Sequence, residues 1–235
     1  MFKNRTAQLV LQSSYMSLGI VAIVSFFGLF EMTWRIDAWI LFTNQCNFLC
    51  IGIMIAELVQ TIKKKEDSYV TLNPILKFVG LLGIMLTGII YYAFISQFKN
   101  PINNFRVGTI LMHVVLPILY IADWILFYEK NKVKLTYPLF ALLLPIAYVI
   151  FIYIHAAFYK FDTSILNYNQ DGPYIYPYFF LNVEKLGIGT VLLWCFLIVV
   201  GFLAAGFLMY GLDKLINYLM NKKKNKDIDN EKTVS

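Results

Sequence analysis

Long apolar runs broken by short polar stretches dominate the chain, and their lengths decide how to read it. Runs at about 8–30, 38–61, 75–96, 107–128, 138–159 and 187–212 are each close to the 20 or so mostly apolar residues that a helix needs to cross a bilayer. Strict period-two alternation is absent, and the runs are too long for the strands of a membrane barrel, which take about 10 residues. The pattern predicts an all-α, polytopic membrane protein: one six-helix domain over 1–212 and a basic tail over 213–235. No internal repeat is visible. The first run follows Lys3 and Arg5, as a signal peptide would. It is longer than a typical signal core and leads into EMTWRID with no small-residue cleavage site, so it reads as a span.

Composition strengthens this picture. Of the 235 residues, 59% are hydrophobic and only 14% are charged, against about 25% charged in soluble domains. Mean hydropathy is +0.64. The net charge of +6 invites a nucleic-acid reading, which the placement of the basic residues excludes. Lys63, Lys64, Lys65, Lys77, Lys130, Lys132, Lys134 and the lysines of the tail fall at one set of span ends, together with Lys3 and Arg5. Only Arg35, Lys99, Arg106, Lys160 and Lys185 fall at the other. Positive charge is retained on the cytoplasmic side, so both termini are expected to be cytoplasmic. The tail KKKNKDIDNEKTVS is expected to be disordered, its lysines resting on anionic lipid. Cys46, Cys50 and Cys195 lie inside spans and read as small buried hydrophobes.

Polar residues within spans are costly and call for a partner or a purpose. The second span opens with Thr43, Asn44, Gln45 and Asn47, and Thr43 and Asn47 are one helical turn apart on the same face. The fourth carries His113, Pro117, Asp123 and Trp124. Pro117 cannot bond to the carbonyl of His113 and should loosen that turn. Thr43 and His113 lie five and six residues into their spans, roughly 8–9 Å below the outer boundary at about 1.5 Å per residue. His155, near the outer end of the fifth span, reaches a similar level. Other polar positions have quieter expectations. Gln8, Gln12 and Tyr15 on the first span, and Gly80, Gly83, Thr87 and Tyr91 on the third, suit helix packing. Glu57 is expected to reach the lysines at 63–65, and Asp123 to pair with Lys130, Lys132 or Lys77. Trp34 and Trp39 suit the interfacial belt, and Asn103 and Asn104 could cap the fourth span. The aromatic outer loop from Lys160 to Lys185 is expected to lie over the bundle mouth as a partial lid.

A Thr hydroxyl beside an imidazole permits nucleophilic acyl transfer: the imidazole takes the proton that keeps the hydroxyl inert. The candidate catalytic pair is therefore Thr43 and His113. Asn44, Gln45 and Asn47 are candidate oxyanion donors, and His155 is a candidate pocket residue. No carboxylate to orient the His is evident. A metal hydrolase would need about three ligands, and His113 and His155 are the only histidines; Asp171 or Glu184 would have to complete a set. No metal or other cofactor is expected.

Two motifs carry a family resemblance: F-T-x-x-x-N at Phe42, Thr43 and Asn47, and H-x-x-x-P-x-x-x-x-x-D-W at His113, Pro117, Asp123 and Trp124. With the six-span layout, they resemble the androgen-induced-protein family of integral membrane proteins, and its bacterial members most closely. Animal members are threonine hydrolases of fatty acid esters of hydroxy fatty acids. The resemblance implies those roles for Thr43 and His113. It also implies a lipid-like ester as substrate, entering from the outer leaflet, and a bacterial cell membrane as location, with membrane lipids as partners. The competing reading is a non-enzymatic membrane protein that binds or transports a lipid or small molecule.

Overall fold

A computed structural model of the chain describes residues 4–32, 36–64, 73–96, 106–161 and 175–234. The fold is all-helical, with no strand among the described residues. Six helices are long and apolar enough to span a membrane: α1 Arg5–Phe26, α2 Phe42–Lys63, α3 Pro74–Ile95, α4 Val107–Leu126, α5 Tyr137–Phe158 and α6, whose spanning stretch is Val183–Lys226. They match the six apolar runs in order and nearly in extent, as expected of an integral membrane protein. Asn4 caps α1 by accepting from the Ala7 N–H. Asn73 caps α3 by accepting from Ile75, with Pro74 in the first turn where no N–H is needed. Trp34, Asn103, Asn104 and Asp171 lie outside the described residues.

Two departures from the expected pattern have local causes. Residues 38–41 do not open α2; a 3-10 turn, Ile36–Ile40, precedes a helix that starts at Phe42. The tail expected to be disordered is helical, since α6 continues to Val234. No Gly or Pro follows Gly211 to stop it. Its continuation is held against the α4–α5 connection, where the buried Asp213 accepts from the Val133 N–H and Lys214 donates to Asn131 at 2.6 Å. At its other end α6 bends at Gly187, whose φ of +73° suits glycine.

Polar contacts tie α1, α2, α3 and α4 together. Arg5 donates to the carbonyls of Thr61 and Ile62 at 3.0 and 2.9 Å, setting the start of α1 against the end of α2. Glu57 turns inward rather than to the lysines at 63–65. Its Oε2 lies 2.6 Å from Lys77 Nζ, and Asp123 Oδ2 lies 2.6 Å from the same nitrogen. Lys77 also sits 4.1 Å above the Tyr120 ring, and the Tyr120 hydroxyl donates back to the Lys77 carbonyl at 3.3 Å. One ammonium thus clamps α2, α3 and α4 where water is excluded: Glu57 and Lys77 are 1% exposed and Asp123 is 2%. The glycines of α3 permit this approach. A Cβ at Gly80 would stand 2.6 Å from the Tyr120 hydroxyl, and one at Gly83 would stand 3.1 Å from Cys46 Sγ. Below the clamp, Lys130 lies 3.5 Å over the Trp124 ring, where burial pulls its pKa down to about 8.

Removing one partner of a buried ion pair costs about 3–5 kcal/mol, because the other charges stay buried without it. Lys77→Met should therefore lower the unfolding temperature of the detergent-solubilised protein by many degrees. A thermal scan on tryptophan fluorescence checks this, and an unchanged midpoint would mean that the clamp is not structural.

Candidate active site

Thr43 and His113 meet. Thr43 Oγ1 lies 3.4 Å from His113 Nε2, across the packed faces of α2 and α4, with each residue 6% exposed. Local backbone chemistry puts both there. Pro117 has no N–H for the His113 carbonyl, and the helix before it widens: Leu111–Val115 form a π-helical turn in which the Leu116 N–H bonds back to the Leu111 carbonyl. Such turns recur at functional sites. A second π-helical turn, Tyr91–Ile95, ends α3, and the Tyr91 ring stacks on His113 with centroids 3.8 Å apart. The two segments can press together because Gly88 has no side chain. A Cβ there would stand 2.9 Å from the His113 carbonyl oxygen.

The tautomer of His113 follows from its other nitrogen. Nδ1 lies 2.9 Å from the carbonyl oxygen of Thr109. A carbonyl can only accept, so Nδ1 carries the hydrogen of the neutral ring and Nε2 presents its lone pair to Thr43. The orienting group that the sequence lacked as a carboxylate is a backbone carbonyl one turn earlier on α4.

The amides next to Thr43 do other work. Asn47 donates to the Thr43 carbonyl at 2.8 Å and to the Met112 carbonyl at 3.5 Å, linking the two helices beside the pair. Asn44 donates to the carbonyl of Ala38 and Gln45 to that of Trp39, fastening the 3-10 turn to α2. None of these contacts aims an amide N–H at the Thr43 hydroxyl. His155 is not brought to the pair; it packs near Trp39 and Phe151, with ring centroids 6.2 and 6.0 Å away.

Other donors are available. Thr43 stands in the first turn of α2, where the Asn44 and Gln45 N–H groups bond to the Leu41 carbonyl at 3.0 and 3.2 Å, so only the N–H groups ahead of them lack a carbonyl within the turn. Leu41, at the N-cap, offers no side-chain bond. Tyr178, from the connection before α6, faces this turn. Burial pushes its pKa up to about 12, while the Thr43 hydroxyl and the backbone N–H groups of Thr43 and Phe42 pull it the other way. The phenol therefore stays protonated at neutral pH. Sequence reasoning placed this connection at the bundle mouth without singling out Tyr178. Its described part packs inward, with Phe180 and Leu181 buried.

Thr43 and Tyr178 also line a cavity of about 220 Å³, walled by Phe42, Leu86, Ile90, Tyr148 and Ile198 among others. The wall is almost wholly apolar, so a hydrocarbon ligand would fill it and water would gain little there. Among the described residues no three His, Cys, Asp or Glu side chains lie close enough together to hold a metal ion. No protein-family model, curated protein or solved structure matches this chain. The chemistry of the site is therefore read from its geometry.

Gly88→Ala tests the packing that holds His113. Over-packing typically costs about 1–3 kcal/mol, and here the methyl would press on the carbonyl of the histidine itself. The variant should show a lower unfolding midpoint and a displaced imidazole, read as a changed histidine signal in NMR of specifically labelled protein.

Proposed function

We propose that the protein is an intramembrane hydrolase of lipid esters, with Thr43 as nucleophile and His113 as general base. The observation that carries this reading is the buried Thr43–His113 contact, with the imidazole fixed in its accepting tautomer behind a threonine that lines an apolar cavity. His113 Nε2 takes the proton from Thr43 as its oxygen attacks the ester carbonyl carbon. The charge that gathers on the carbonyl oxygen meets the Tyr178 hydroxyl, a fixed dipole in a water-poor site, and the Phe42 and Thr43 N–H groups that face the same phenol polarise it further. As the bond to the alcohol oxygen breaks, His113 returns the proton to that oxygen, leaving an acyl group on Thr43. Water, deprotonated by the same imidazole, attacks the acyl carbon, releases the carboxylic acid and restores the Thr hydroxyl.

This assignment agrees with the roles implied by the resemblance to the androgen-induced-protein family. The distribution of Lys and Arg supports a site opening toward the outer leaflet, with both termini cytoplasmic; a bacterial cell membrane is what the resemblance implies. Positioned general bases contribute about 10²–10⁴-fold in rate, and single oxyanion donors about 10²–10³-fold.

Purified protein in detergent, given a fluorogenic fatty acyl ester, is expected to turn it over. Thr43→Ala should reduce the rate to background, His113→Ala should lower it by roughly the general-base factor, and Tyr178→Phe should lower kcat with little change in KM. Equal turnover by Thr43→Ala and the unmutated protein would leave an apolar-ligand-binding protein as the reading.

A further inference from the structure

The cavity at Thr43 adjoins a second one. Between α3 and α6 lies a slot of about 330 Å³, lined by Leu82, Met85, Phe94, Trp194, Gly201 and Ala205. Leu86, Ile90 and Ile198 belong to the walls of both, so the two spaces adjoin across shared side chains. The slot has no charged lining residue. Ile89 and Leu197 also line it and are 52% and 51% exposed. They stand on the outer surface of helices whose exposed residues are mostly apolar, so the slot faces lipid rather than water.

From these features we infer that the α3–α6 slot is the acyl-chain subsite of the enzyme. It would hold one long unbranched hydrocarbon chain on the acid side of the ester, with the carbonyl carbon at Thr43. Its length supports this occupant. The slot runs from the level of Leu82 to that of Phe94, about 18 Å at 1.5 Å per residue. A hydrocarbon core of about 30 Å holds two facing leaflets, so one lipid chain is about as long as the slot. A chain can pass sideways from the bilayer between α3 and α6 without its carbons entering water. The shared residues Leu86, Ile90 and Ile198 lie part-way along the slot, so the carbonyl end turns aside there toward Thr43 and the chain has about 12 Å of slot to run along in either direction, at 1.5 Å per residue. A polar headgroup has no partner along this wall, which assigns the slot to the chain. Selectivity for long over short acyl groups follows, because only a long chain reaches beyond the shared residues to the slot's own walls, such as Leu82, Phe94 and Gly201. This inference rests on the hydrolase reading for its substrate, and its test separates the two.

Gly201 is the position to probe. Gly201 lines the slot and a Cβ built there meets nothing within 4 Å, so a larger side chain can be added at the slot's wall without pushing on the bundle. Replacing a helical glycine also does not weaken the helix. The first measurement is the ratio of kcat/KM for a hexadecanoyl ester to that for a butanoyl ester of the same alcohol. In Gly201→Phe this ratio should fall at least tenfold relative to the unmutated protein, and in Gly201→Ala it should fall much less. A ratio unchanged by Gly201→Phe overturns the subsite while leaving the hydrolase intact.

The second measurement does not depend on turnover. A hexadecanoyl ester carrying a photoreactive diazirine at the chain end is irradiated with Thr43→Ala protein, and the labelled peptides are identified. Labelling within 82–94 or 194–205, reduced by Gly201→Phe in the same background, supports the subsite even if no ester is hydrolysed. Labelling confined to other segments overturns it.

Discussion

A membrane-spanning bundle cannot leave polar side chains to water, and this constraint organises the protein. Lys77 satisfies it for two carboxylates at once. A single ammonium 2.6 Å from both Glu57 and Asp123 draws α2, α3 and α4 together at one level, since separating them would strand charge in a medium that cannot solvate it. With the three helices fixed there, their other ends can hold a looser arrangement. That is where the helices widen into π-helical turns and where the cavity lies.

The Thr43–His113 contact depends on this division. Helices packed by regular ridges and grooves have no room for an imidazole to present one nitrogen to a neighbour and the other to its own backbone. Pro117 removes a hydrogen bond, the α4 turn widens, and Gly88 accepts the exposed His113 carbonyl without a side chain in the way. Asn47 then spans the gap to two carbonyls, Thr43 on its own helix and Met112 on the next. Backbone irregularity of this kind is tolerated at membrane depth where protein surrounds it. The geometry places an imidazole lone pair behind a hydroxyl that, with Tyr178, borders an apolar space.

The motifs that drew attention in the sequence have different duties once folded. Asp123 and Trp124, in the same motif as His113, belong to the clamp and to the Lys130 contact rather than to the Thr43–His113 pair. Asn47, from the other motif, positions. Tyr178 lies in a connection whose aromatic character was plain but whose register was not. Its approach to Thr43 depends on how the chain returns across the bundle mouth.

The sequence by itself determined the six spans, because hydrocarbon thickness sets a length that any apolar helix must meet. It also marked Thr43 and His113, because uncompensated polar atoms inside such runs stand out against their surroundings. It suggested that Pro117 would disturb α4. Tertiary structure alone decided which polar groups meet. Glu57 found Lys77 rather than the nearer lysines, His113 found the Thr109 carbonyl as its orienting partner, and His155 was left beside Trp39. Those outcomes depend on helix rotation and close approach, set by small residues and packing across elements. A linear pattern fixes depth along a helix axis, but it leaves open which neighbour each face will meet.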